Sequence, residues 1–262
     1  MKNLLRVVAC LSFVLSFNTK ALVVNGCIIE PYTSCPNADL RSTSLSHKDL
    51  SGAILSNADF YGAFMPHINL NQANLRGANL YSADLRDASL SGADLTNANL
   101  TYARLNSANL LNAMFNNTNL ANAELNMAML MGADLTGINL YDSDLSGTNL
   151  ENANMTRVNL YDANLNGTNL KNANLLNANL SYVYLAGTKL DEANLAGTNF
   201  INAWQWQSAS FTNSLYSEST TFPTGFDPTA EGMIFVSEVP LPAAAWLFGS
   251  ALVGLGLVRR SK

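Results

Sequence analysis

The sequence predicts an all-β solenoid, a chain wound into four-cornered coils, and three observations carry that prediction. A large apolar residue falls at every fifth position from Leu40 to Phe200, 33 units without a miss, with Phe60, Met65, Phe115, Met155 and Phe200 the only occupants other than Leu. A second period of twenty lies over the first. Tyr61, Tyr81, Tyr141 and Tyr161 are related by multiples of it, Gly147, Gly167 and Gly187 by single steps, and the segment Tyr141 to Leu150 nearly repeats as Tyr161 to Leu170. The third observation is composition: charged residues make up only 13% of the chain, while Ala, Asn and Leu dominate the repeats.

A period of five suits neither standard element. On an α-helix each step of five advances about 500°, so the leucines would spiral round every face, and in one continuous strand they would alternate between opposite faces. A short extended piece does fit, with a small residue, usually Ala, and the Leu two places later pointing to the same side, followed by two outward residues that turn a corner. Gly at the second outward place, as at Gly52, Gly77 and Gly167, suits a corner with unusual backbone angles. Four such units close one coil. Stacked at about 4.8 Å, roughly eight coils make a rod on the order of 40 Å long. No unit is stable alone, so both ends need caps.

Read in order, the chain opens with Lys2 and Arg6 ahead of the apolar run Val7 to Phe17 and the small-residue site Thr19-Lys20-Ala21. Residues 1–21 therefore read as an export signal with a short apolar helix, cleaved after Ala21. The cysteine-containing runs ending at Cys10 and Cys27 are poor lipoprotein boxes. Cleavage would leave Cys27 and Cys35 as an even pair in an oxidising compartment, and a disulfide is expected to staple residues 22–37 as an N-terminal cap. The solenoid is assigned to 38–200, with an imperfect first coil in which Lys48 takes an inward site. Residues 201–238 are read as a C-terminal cap and linker, in which Trp204 and Trp206 cover the last coil; a sugar-stacking role for these indoles is the alternative.

Residues 239–262 carry a second sorting device. Val239-Pro240-Leu241-Pro242 precedes an apolar stretch from Ala243 to Val258, long enough for a short membrane helix, and a basic tail with Arg259 and Arg260. That tail would stay on the cytoplasmic side of the inner membrane and leave the rod outside. Between the two ends the charge is one-sided. Residues 22–238 hold all nineteen acidic residues against eight of the fourteen Lys and Arg, a balance of −11. Nucleic acid would be repelled and is not expected as a partner, whereas a basic partner or a divalent cation is tolerated.

The A-(D/N)-L-x-x pattern, clearest from Ala73 to Leu85, resembles the pentapeptide-repeat family over about 60% of the chain. The resemblance implies a right-handed, four-sided β-solenoid, and the segment Ser219 to Pro228 resembles a tail that follows such repeats in bacterial proteins and would cover the last coil. The tripartite ending resembles the PEP-CTERM sorting signal, with Leu241 where the usual motif has Glu. It implies an exosortase and the secretion machinery as partners, and release at the surface of an exopolysaccharide-producing bacterium, into a biofilm matrix.

Chemistry has little foothold. No nucleophile-base pair, phosphate-binding loop or cysteine-histidine arrangement is present, so neither an enzyme nor a cofactor is expected. His47, His67 and Asp87 are spaced by twenty and would stack on one outer face, where the two histidines could share a zinc or copper ion, but three ligands in a straight ladder do not converge on one point, and coincidence on a solvated corner is the simpler reading. The column Tyr61, Tyr81, Tyr141, Tyr161 offers a face for polysaccharide or protein, or serves only to stack coils. Glu151 is expected to pair with Lys171. Three function classes follow: a structural or adhesive rod that binds exopolysaccharide or surface proteins; an acidic DNA mimic that binds a gyrase-like protein; and a carbohydrate-modifying enzyme, which a convex rod without a cleft disfavours.

Overall fold

The computed structural model describes residues 22–237. Parallel bridges join residues twenty apart, from Ser34 with Ile54 to Tyr184 with Trp204, and successive bridges fall five residues apart. Four ladders therefore run side by side, one on each side of the coil. Inside, the Leu sites are sealed, Leu45, Leu85 and Leu165 being wholly without exposure, and Ala63, Ala83 and Ala103 fill the small sites beside them. Where Thr takes a small site its hydroxyl donates to a backbone carbonyl, of the coil beneath for Thr148 and Thr168, which reach Leu125 and Leu145 at 2.8 Å, and of its own coil for Thr198, which reaches Leu195 at 2.7 Å.

The corners explain two sequence preferences. At every corner from Asn37 to Asn202 the second outward residue is left-handed, with φ between 53° and 68°, whether it is Gly, Asn, Met127 or Arg157. The Asn or Asp before each Leu holds the turn through its side chain. Asp59 Oδ1 accepts the Tyr61 N–H at 3.0 Å and Asn74 Oδ1 that of Arg76 at 3.1 Å. The same side chains also link coils, as where Asn159 Nδ2 donates to Asn139 Oδ1 at 3.0 Å.

At the N-terminal end, β1 (Leu22–Val24) and β2 (Cys27–Ile29) form an antiparallel hairpin across Asn25-Gly26, both left-handed. Cys27 is disulfide-bonded to Cys35, with Cα atoms 5.6 Å apart. The ladder starts at Ser34 rather than at residue 38, because the Cys35 N–H bonds the Ile54 carbonyl just as Leu40 bonds Asp59 one unit later. Cys35 is thus a Leu-site residue and a cross-link together. Lys48, expected in an inward site, is exposed.

At the other end the coil lengthens. Bridges join Lys189 with Ser210 and Asn194 with Leu215, twenty-one apart, then Asn199 with Thr221, twenty-two apart. A 3₁₀ turn over Trp206–Ser208 absorbs the first extra residue. β3 (Leu215–Tyr216) then pairs in parallel with β4 (Ile234–Phe235). Phe211, Tyr216 and Phe222 replace leucines in this last coil, and Phe226 from the tail lies over it, its ring 4.6 Å from Phe222 and 5.0 Å from both Phe211 and Trp206. The cap role expected of Ser219 to Pro228 falls chiefly to Phe222 and Phe226. Trp206 joins it, but Trp204 does not: its side chain points away from the plug and the residue is 52% exposed.

One seam interrupts the ladders. Among the described residues no bridge joins Met114 to Asp134, although Asp94 with Met114 and Asp134 with Asn154 are both present, and the Asn112, Phe115 and Asn117 N–H groups bond no carbonyl of the next coil. Ring size alone does not open it, since Phe60 fills the same kind of site and still bonds the Asn79 carbonyl at 2.7 Å. Hydrogen exchange at Phe115 and Asn117 is expected to be at least about tenfold faster than at Leu95 and Leu135, whose amides are bonded; equal protection at all four would contradict an open seam.

Among the described residues no helix is long and apolar enough to cross a membrane. The proposed signal helix with Ala21, and the sorting segment with Val239, Pro240, Leu241, Pro242, Arg259 and Arg260, lie outside the described residues.

Candidate binding surface

The corner that follows the Leu40-type sites carries the aromatic column, and it is longer than the spacing of twenty predicts. Tyr61 and Tyr81 stack with ring centres 5.4 Å apart and planes at 3°, and Tyr141 and Tyr161 at 5.6 Å and 12°. Each pair gains a third ring from the next coil. Tyr102 meets Tyr81 edge-on at 5.5 Å, and Tyr182 meets Tyr161 at 5.2 Å with a 43° tilt. Sequence spacing misses Tyr102 and Tyr182 because they occupy the second corner position rather than the first. Between the triplets the coil puts Ala121, which is nearly buried, so the column is two blocks of three.

The middle rings, Tyr81 and Tyr161, have both faces covered by their neighbours, which leaves edges and hydroxyls to solvent. Stacked rings therefore serve chiefly to join coils, and only the ends of the blocks offer open faces. Burial, then Tyr182 and Asp162, push the Tyr161 phenol above its ordinary range.

His47 and His67 stack on a neighbouring corner, ring centres 4.7 Å apart and planes at 8°, and His67 Nε2 lies 3.9 Å from Asp87. The rings lie face to face and the carboxylate follows in line, so the donor atoms do not converge. Among the described residues no group of three or more His, Cys, Asp or Glu side chains is placed to hold a metal ion.

Much of the acidic charge in the first half is neutralised by arginines. Arg86 Nη2 lies 2.6 Å from Asp84, Arg104 reaches Asp84 at 3.5 Å and Glu124 at 3.4 Å, and Arg76 reaches Asp94 at 3.1 Å. Partial burial alone would raise the Asp84 carboxyl, yet the hydrogen bonds from Arg86 and the charge of Arg104 hold it below the usual carboxylate range. Asp39, hydrogen-bonded by Arg41, is lowered to about 2. Glu151 does not pair with Lys171 as expected: Glu151 accepts from Asn169 at 3.2 Å, while Lys171 turns to Glu192, one coil further on, at 3.4 Å.

The rod also has a cleft, contrary to the expectation of an unbroken convex surface. Because Trp204 pairs with Tyr184, the next residue, Gln205, stands where a Leu belongs; it is left-handed at φ 57° and exposed. Forgoing that leucine gives up roughly 1.5–3 kcal/mol of burial. What opens instead is a cleft of about 500 Å³ at the C-terminal end of the tyrosine column, lined by Tyr182, Asn202, Trp204, Gln205, Trp206 and Gln207 among others. No acidic or basic side chain lines it, so it holds no carboxylate pair for glycoside hydrolysis.

A family model described as Pentapeptide repeats matches in eight copies, over residues 34–72, 67–101, 98–137, 138–177 and 178–204. Among solved structures the chain is similar to HetL, a pentapeptide repeat protein involved in heterocyst differentiation regulation from the cyanobacterium Nostoc sp. strain PCC 7120. Identity is 31%, over 75% of this chain and 90% of that one, with a TM-score of 0.64. A pentapeptide repeat protein of the Arabidopsis thaliana thylakoid lumen is 32% identical over 48% of this chain and 70% of its own, with a TM-score of 0.19. A trypsin-treated form of QnrB1, a plasmid-mediated fluoroquinolone resistance protein, is 15% identical over 85% of this chain and 95% of its own, at a TM-score of 0.33. At those two TM-scores neither likeness bears on function. No curated protein matches the chain.

Proposed function

The chain belongs to the pentapeptide-repeat family, and from that premise we propose that it is an exported, non-catalytic rod, a structural or adhesive component of the cell surface or exopolysaccharide matrix that exosortase processing releases. The observation that carries this reading is a solenoid closed at both ends, by a disulfide-bonded hairpin and by an aromatic plug, whose outward columns are free for contact. Export rests on the sequence of the two ends. The basic and apolar segment before Ala21 supplies entry to the secretion machinery, and Val239-Pro240-Leu241-Pro242, the apolar stretch and Arg259-Arg260 supply retention in the inner membrane until cleavage. The two prolines keep the motif extended, as a protease needs. The Cys27–Cys35 bond belongs to the same reading, because such bonds persist outside the reducing cytoplasm.

The DNA-mimic alternative needs rows of unpaired carboxylates, whereas Asp39, Asp84 and Asp94 are held by Arg41, Arg86 and Arg76. A carbohydrate-modifying enzyme needs two carboxylates in the cleft, and the cleft has none.

Fractionation and intact mass of the protein from its host test the proposal. The expected species is found in the medium or matrix, lacks residues 1–21 and the C-terminal segment, and is two hydrogens lighter than the dithiol. Substituting both Pro240 and Pro242 should leave full-length protein in the membrane. Cytoplasmic protein, or release unchanged without exosortase activity, overturns the reading.

A further inference from the structure

We propose that the cleft at the C-terminal end of the tyrosine column binds a pyranose unit of a neutral polysaccharide. The proposal names a ligand class for the binding rod described above and rests on that reading of a non-catalytic protein.

The cleft exists because the repeat is broken there. Gln205 replaces a core leucine and one extra residue enters through the 3₁₀ turn at Trp206–Ser208, which leaves the Trp204 indole outside and draws the Trp206 indole into the plug at a place where the chain elsewhere buries an aliphatic side chain. Among the cap aromatics, Trp206 is engaged by Phe226 at 5.0 Å, but the half-exposed indole of Trp204 has no ring partner among the described residues. Tyr182, the last ring of its column, tilts 43° from Tyr161 and so keeps one face open. Two open aromatic faces thus line one cleft, whereas the middle rings of the column are covered by their neighbours.

The polar lining selects the ligand. Asn202, Gln205 and Gln207 bring side-chain amides, each both donor and acceptor, and no charged side chain accompanies them. A pyranose matches this pairing, since its C–H face stacks on an indole or phenol while its hydroxyls both donate and accept at the ring edge. An anion would find no cation, and a cation would find no carboxylate. At Trp204 itself no strand can be added, because its N–H bonds the Val183 carbonyl at 2.8 Å and its carbonyl accepts from Leu185 at 3.0 Å. At about 500 Å³ the cleft holds one or two sugar rings.

Affinity electrophoresis of the full-length protein tests this, in native gels cast with hydroxyethylcellulose, glucomannan or galactomannan as neutral probes and with alginate as the acidic one. Expected is retardation in at least one neutral gel, weakened at least about tenfold in Trp204→Ala, largely kept in Trp204→Phe, and unchanged in Tyr81→Ala. Trp204 is half-exposed and outside the plug, so the alanine variant should melt with the parent, and that melt shows that any loss is one of binding. Retardation in no neutral gel, retardation by alginate alone, or equal retardation of the parent and Trp204→Ala overturns the proposal. Secreted protein that is not retarded removes this site and leaves the exported rod standing. Retarded protein that never leaves the cytoplasm does the reverse.

Discussion

Phe211→Ala is expected to cost about 3–5 kcal/mol and to unravel the solenoid from its C-terminal end. Phe211 is almost fully buried at a Leu site of the last coil, where its ring meets Phe200 edge-on at 6.4 Å and Phe226 at 5.0 Å. Removing it leaves a cavity under Phe226, whose ring also touches Phe222 and Trp206. In a linear array each coil is held by its neighbours, so loss of the end plug exposes the Leu layer beneath and the damage spreads inward. Denaturant melts should show the loss of stability, and hydrogen exchange should rise first near Leu190 and Leu195 while the coils around Phe60 and Leu80 stay protected. Uniform loss of protection along the rod would contradict end-fraying.

Leu85→Ala is expected to cost about 2–5 kcal/mol, with a different signature. Leu85 is fully buried in mid-rod and its N–H donates to the Arg104 carbonyl at 2.7 Å. The side chain lies in a column with Met65 above one face and Leu105 on the other, spaced by the coil repeat, so truncation opens a void between layers that rigid ladders on four sides prevent from closing. The neighbouring coils on both sides should lose protection together. Asp87→Asn, two residues away at an exposed corner and equally at home in its left-handed backbone, is the control and should change stability by no more than about 0.5 kcal/mol. A Leu85→Ala variant that melts with the parent would show that the inward Leu column does not hold the rod.

How much of this was legible can be followed residue by residue. The five-residue rhythm and the step of twenty are enough to place Leu85 inside, Asp87 at a corner and His47 over His67, because in a solenoid the partner of a residue is set by counting alone. The Cys27–Cys35 pair was expected for a different reason, two cysteines left together in an oxidising compartment, and counting did not show that Cys35 already occupies a Leu site of the ladder. Counting fails where its assumption does. Tyr102 and Tyr182 join the aromatic column from the adjacent corner position, since a long ring can lean one residue sideways and still reach its neighbour. Trp204 and Trp206 look equivalent in the sequence, but a single inserted residue sends one into the plug and the other into solvent, and no periodicity says which. The cleft has the same origin. The open seam at Phe115 lies in a stretch that keeps the five-residue pattern without fault, and so has no sequence mark beyond a Phe that Phe60 shows to be tolerated.

The corners divide the labour of the sequence. Every second outward residue takes the same left-handed backbone whether it is Gly, Asn, Met127, Arg157 or Glu192, and the side chain there projects away from the core. Inheritance can therefore rewrite the outer positions, at a cost of about 1 kcal/mol or so for leaving Gly, while the inward Ala and Leu sites stay nearly constant. Two such rods can share a skeleton and have nothing in common on the surface, so likeness within this family measures the scaffold, and the identity of each partner is written separately in the columns that face outward.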